Sequence, residues 1–237
     1  IEAIWCCSNS ECTEVDPRFQ FDGRKVGRLF VTPASQCGCG AKVLELLYCY
    51  DCGETFLGGY VLEHTEQGHT STFLSSTGNQ TNTNQKIPVG QRLHGKYRWY
   101  WPGDFGSIPQ DFVSWPEDGQ NVFFKKAAIN SMSGFLDLYP DDSSGVVIDY
   151  RGDAEGCPSV PSKCPCCLVE RYNGPGSISR GRVHSPIVAM GTGIAISNRL
   201  LASHSSFALR SEKSPASTVI FSDSREGAAE VAAGVEG

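Results

Sequence analysis

The stretch "CGCGAKVLELLYCYDCG", residues 37–53, decides the fold. Its middle, Val43-Leu44-Glu45-Leu46-Leu47-Tyr48, is short, mostly apolar and bounded by glycine, and so predicts a β-strand. Cys37 and Cys39 lie before that strand, Cys49 and Cys52 after it. Glycine directly follows Cys39 and Cys52, which permits positive φ and lets the chain fold back with its amides aimed at sulfur. Thiolates so arranged suit a tetrahedral zinc ion.

Outward from this stretch, the 237 residues suffice for one large or two small domains, and 40% of them are hydrophobic, enough for a sizeable core. The formal net charge is -6. Phosphate contacts need clustered Lys and Arg, so the chain by itself is a poor binder of nucleic acid. No run of about 18 apolar residues occurs, so no membrane partner is expected, and no signal peptide is visible. The start at Ile1 and the ending "AAGVEG" suggest a fragment.

Eleven cysteines is an odd number for a disulfide framework, and the chain is long for one. Metal ligation under reducing conditions, hence a cytoplasmic protein, is the better reading. Cys7-x4-Cys12 and Cys37-x-Cys39 together make one four-thiolate site, since positions i and i+2 of an extended segment face the same side. Cys49-x2-Cys52 then takes Cys164-x2-Cys167 as partner, with Cys166 able to replace either member of that pair. The competing arrangement is a compact ribbon of Cys37, Cys39, Cys49 and Cys52, leaving Cys7 and Cys12 to join Cys164 and Cys167. Cys6 and Cys157 are spare small hydrophobes. Either way about two zinc ions are bound with no open position, a structural role.

Along the chain, "GRLFVTP" (27–33), 42–48 and 53–64 read as strands, with Gly58-Gly59 marking a bulge or turn. Residues 76–90 are a polar surface loop, and the Asn79 sequon within it is a chance match. Residues 91–150 read as antiparallel β, with strands in "KYRWYWPG", "NVFFKKAAI", "GFLDLYP" and "GVVIDYRG". A Gly/Ser/Arg-rich loop covers 173–182. A helix over 193–209, the strand "STVIFS" and a helix from Ser224 then predict the start of an α/β domain. The fold class is thus α+β, with domains at 1–175 and 176–237.

Other candidate chemistry is thin. His64 and His69, with Glu63 and Glu66, lack a His-Glu-x-x-His pattern and read as a solvated loop. His94, His184 and His204 have no evident partner. Gly191-Thr192-Gly193 lacks the Gly-x4-Gly-Lys-Ser/Thr phosphate loop and reads as a helix start. Tyr97, Trp99, Tyr100 and Trp101 suit core packing better than base stacking.

"WCCSNSEC", "GRLFVTP…CGCGAKVLELLYCYDCGETFLGGY", "YRWYWPG", "CPCC", "SPIVAMGTG" and "VIFSDSREGAAEVAAGVE", in this order, resemble superfamily-two DEAD/DEAH-box helicases with a cysteine-rich insertion between their two RecA-like domains. The resemblance covers most of the chain. It implies a zinc-stabilised β-rich insertion followed by the first helix-strand-helix of the second RecA-like domain. In such helicases the "FSDSR" loop faces the nucleic-acid backbone, which assigns that role to Ser222, Asp223, Ser224 and Arg225. The chain departs from the family at Glu226-Gly227, where Gln-Asp is common, and at Cys37-Gly38-Cys39, where Cys-x2-Cys is usual. The motifs that bind and hydrolyse ATP are absent, so ATP, magnesium, DNA and the remaining helicase domains are partners implied for a full-length parent only. The alternative is a stand-alone zinc-binding interaction module without motor activity.

Overall fold

The structure, a computed structural model, describes residues 3–78, 87–117, 119–141, 145–171 and 184–190. The predicted helices from 193 and 224, the strand "STVIFS", residues 191–193, His204, Asn79, the loop at 173–182 and the proposed contacts at 222–225 lie outside the described residues.

The apolar run of the opening stretch forms β3 (Val43–Cys49), the strand around which the others are arranged. Along one edge of β3 lies β4 (Thr55–Glu66). Along the other, end to end, lie β1 (Trp5–Cys7) and β11 (Ile187–Ala189). All these pairings are antiparallel. The sheet is completed by β2 (Leu29–Phe30) on β1, and by β5 (His69–Ser75) and β6 (Tyr97–Tyr100) on β4. Of the predicted 27–33 strand, Leu29 and Phe30 form the ladder with β1, and Gly27 and Arg28 hydrogen-bond to the Cys7 backbone.

A second antiparallel sheet contains β7 (Ser114–Glu117), β8 (Gln120–Ile129), β9 (Leu136–Asp137) and β10 (Gly145–Tyr150). A bridge between Trp101 and Val146 joins the end of β6 to β10. The described residues are therefore β-rich, with short 3-10 turns at Pro17–Phe19, Val89–Gln91 and Phe105–Ser107 and no helix long and apolar enough to cross a membrane.

Side-chain alternation explains why β3 is apolar on both faces. Leu47 and Cys49 belong to a core shared with Phe56, Trp99, Trp101, Trp115, Phe124, Val146 and Ile148. Leu44 and Leu46 join a different cluster with Leu57, Leu74, Tyr100, Leu136 and Val147. Trp99 stacks between Phe56 and Phe124, with ring centroids 5.4 and 6.1 Å away. The aromatic run 97–101 is therefore core: Tyr97, Trp99, Tyr100 and Trp101 are all buried.

Gly58-Gly59 is neither a bulge nor a turn, because both residues lie inside the continuous ladder of β4. A Cβ on Gly58 would sit 1.8 Å from the Tyr97 hydroxyl oxygen. The glycine there makes room for a neighbouring strand's tyrosine.

That tyrosine serves a polar group which the sequence hides. Glu45, the lone charge in the apolar run, is 4% exposed. It accepts a hydrogen bond from Tyr97 Oη at 2.8 Å and pairs with the Arg92 guanidinium through both oxygens, Nη2 lying 3.3 Å from Oε1. Arg92 also lies over the Tyr97 ring, 4.5 Å from its centroid. A buried carboxylate persists when its lone pairs are filled in this way. Burial and the Glu45 carboxylate push the Tyr97 phenol well above its ordinary pKa.

Residues Ile4–Met190 form one compact unit. Its chain enters and leaves at one place. The Ile4 amide donates to the Met190 carbonyl at 2.7 Å, and the two residues are further joined through Leu46: Leu46 N donates to Ile4 O at 2.8 Å, and Met190 N to Leu46 O at 2.9 Å.

Candidate metal centres

The strand pattern decides which cysteines meet. On β1, Cys6 and Cys7 point to opposite faces. Cys6 packs with Leu44 and Leu46 in the core, whereas Cys7 joins Cys12 and Cys37 beside Val43. Cys37 and Cys39 reach the same place from the turn before β3. Cys49 ends β3, and Cys52 lies in the turn leading to β4. Residues 164–167 form the turn that meets them from the far end of the chain.

Two groups result, Cys7/Cys12/Cys37/Cys39 and Cys49/Cys52/Cys164/Cys167. Within each, all sulfurs lie within 4.8 Å of one another. Cys7 and Cys39 are 3.5 Å apart and Cys12 and Cys37 3.6 Å; Cys49–Cys167 and Cys52–Cys164 are both 3.9 Å apart. A disulfide needs about 2.05 Å, so these are free thiols. Zinc–thiolate bonds of about 2.3 Å in a tetrahedron put the sulfurs about 3.8 Å apart. The observed spacings bracket that value, so each group is able to hold one metal ion. The compact ribbon does not form, because β3 separates its two cysteine pairs by the length of the strand.

Backbone amides complete the two centres. Hydrogen bonding from the amide two residues further on reaches six of the eight sulfurs: Asn9 to Cys7, Glu14 to Cys12, Cys39 to Cys37, Asp51 to Cys49, Glu54 to Cys52 and Cys166 to Cys164. Four of these amides lie within their cysteine pair; the bond from Glu54 to Cys52 crosses Gly53, whose φ is +74°. Such donors favour the thiolate, the form that binds metal. Burial pushes Cys7, Cys37 and Cys164 up, and Cys49 to about 11. At Cys12 burial acts in the same direction, but the amides of Arg28 and Glu14 and the neighbouring thiols outweigh it and bring the group to about 7. Cys52 is likewise lowered: burial opposes, while the Glu54 amide and the adjoining thiols prevail.

The two centres differ in exposure. Cys7, Cys12 and Cys37 are buried and Cys39 half-buried, whereas in the second centre Cys52 and Cys167 are exposed. Three cysteines stand outside both groups. Cys6 is core, Cys157 is buried with its thiol directed at the Asp153 carbonyl, and Cys166 is exposed.

The family described as YjiV N-terminal domain matches residues 29–182. The chain belongs to this family. The matched span contains all four cysteines of the second centre and Cys37 and Cys39 of the first; Cys7 and Cys12 precede it. No curated protein and no solved structure matches the chain.

Among the described residues, no histidine joins either centre. His64 and His69 lie on the exposed β4–β5 hairpin, with His64 Nε2 4.0 Å from Glu66. His94 is buried against the Tyr150 ring, its Nε2 3.1 Å from the Ile148 carbonyl. Sequence reasoning missed the Glu45–Arg92–Tyr97 network, whose one signal was a lone acid in an apolar run.

Proposed function

We propose that the chain is part of an ATP-dependent DNA helicase or translocase. On this reading Ile4–Met190 contains the zinc-bearing insertion, and the residues beyond it begin the second RecA-like domain with a helix, a strand and a helix. The observation that carries the proposal is the meeting of Ile4 and Met190. A domain whose chain enters and leaves at one point can be set into another protein without separating what flanks it.

The metal we assign is zinc, one ion per centre. Four thiolates at tetrahedral spacing with no open position give a structural site, which holds shape rather than activating water. Thiolates of this kind persist in reducing surroundings, the basis for a cytoplasmic protein. The insertion would brace the two motor halves or shape the exit of a strand. ATP and magnesium act in the full-length parent, and DNA contact there includes the loop Ser222–Arg225.

The test uses the full-length protein. Its ATPase rate should rise with DNA, and Arg225→Ala should weaken DNA binding and lower the salt slope by about one. Absence of DNA-stimulated ATP hydrolysis, together with tight, salt-resistant DNA binding by these 237 residues alone, would favour the stand-alone zinc-binding module instead. That second reading has in its favour the self-contained core of Ile4–Met190.

A further inference from the structure

Along one edge of β3, β1 and β11 lie end to end, and β1 carries β2 on its outer side. The corresponding place beside β11 holds no strand among the described residues. Register fixes which backbone groups face that place. Tyr50 N donates to Pro186 O and Met190 N to Leu46 O, so residues 186, 188 and 190 bond inward to β3. Ile187 and Ala189 alternate with them and turn their amides and carbonyls outward. The Ile187 amide is taken by Ser185 Oγ at 3.0 Å. The Ile187 carbonyl and both backbone groups of Ala189 form an open edge, without a partner among the described residues.

A cleft of about 570 Å³ adjoins this edge, lined in part by Ile187, Val188, Ala189, Pro88, Val89 and Tyr50. Ile187 and Val89 are core residues and Ala189 packs against the same cluster, so the cleft borders the face of the sheet that carries this core. Charged side chains are a common device against pairing at an open edge, and β11 has none.

We propose that β11 is a strand-addition site, which receives an extended segment of another protein carrying a large apolar side chain. The inference stands apart from the metal and helicase readings. An edge of backbone donor and acceptors is satisfied by another extended backbone, and a pocket beside it selects the side chain. In an antiparallel complex the residue opposite Ala189 exchanges two hydrogen bonds with it, and the residue two positions further on donates to the Ile187 carbonyl. The residue opposite Ala189 projects on the same face as Ala189. Alanine is small, so the cleft takes the larger side chain that the partner brings.

The experiment uses the 237-residue protein and a fluorescein-labelled peptide, Thr-Val-Phe-Val-Thr, read by fluorescence anisotropy and amide hydrogen exchange. Saturable binding is expected. The Ala189 amide should exchange freely before the peptide is added and slowly after it, while the Val188 amide is protected throughout. N-methylation of the phenylalanine nitrogen and replacement of that phenylalanine by alanine should each weaken binding at least about ten-fold. Ala189→Pro removes only an outward-facing N–H, a change that edge strands tolerate. It should abolish binding and leave the urea midpoint close to that of the wild type. The exchange data on the wild-type protein provide a readout independent of that variant. No saturable binding below about 1 mM, or equal binding of the N-methylated peptide, would overturn the proposal. So would an Ala189 amide already protected in the free protein; if that protein is also a dimer, a second copy covers the edge.

Discussion

Replacing Cys49 by Ser removes one ligand of the second centre and tests its long range. Cys49 and Cys167 are 118 positions apart in sequence, whereas Cys12 and Cys37 of the first centre are 25 apart. If a metal cross-link constrains the unfolded chain as a disulfide does, closing the longer loop contributes about 5 kcal/mol and the shorter about 3.5 kcal/mol. A domain's whole stability is about 5–15 kcal/mol, so the loss is a large part of it. With a urea slope of about 2 kcal/mol per molar, the midpoint should fall by about 2.5 M. Bound zinc should drop from two ions to one. Alkylation under native conditions should newly modify Cys164 and Cys167, while Cys7, Cys12 and Cys37 remain protected. Protection of Cys164 and Cys167 in the variant, with an unchanged midpoint, would refute the long-range centre.

Gly58→Ala should destabilise the unit by about 2–3 kcal/mol, since the new methyl meets the Tyr97 hydroxyl, which is fixed by Glu45; Gly58→Ala with Tyr97→Phe should recover part of this in urea unfolding. Arg92→Met leaves Glu45 buried without its cation and should cost about 3–5 kcal/mol, and adding Glu45→Leu should restore most of the loss in the same assay. His94 is brought down to about 4, by burial first and by Arg98 second, against the opposing pull of the Ile148 carbonyl and Asp149. The unfolded chain therefore takes up its proton first as pH falls. The stability tied to the neutral ring is complete above pH 6.5 and is lost on the way down to about pH 4, by about 3 kcal/mol. His94→Gln should flatten that part of the stability–pH curve; an unchanged slope would remove His94 as its cause.

The sequence by itself determined the local elements. A short, mostly apolar run bounded by glycine and cysteine pairs reads as a strand, and β3 forms there. The aromatic run 97–101 reads as core because the nearby acids Asp104 and Glu117 do not suit a phosphate track. The glycines after Cys39 and Cys52 state in advance where the backbone reverses, since only they take positive φ freely.

Tertiary structure decided what lies across those elements. Spacing alone left two ways to pair eight cysteines, and the length of β3 chose between them by holding residues 37–39 and 49–52 apart. The choice of Cys7 over Cys6 as ligand follows from which face of β1 turns toward Cys12, and that is set by pairing with β3. Gly58 suggested a break in the strand, yet its role is clearance for Tyr97, which arrives from a strand far along the chain. Glu45 finds Arg92 and Tyr97 across 47 and 52 positions of sequence, too far for any local pattern to show. Such partners are fixed by strand register. Register is a property of two segments together, which neither sequence carries alone.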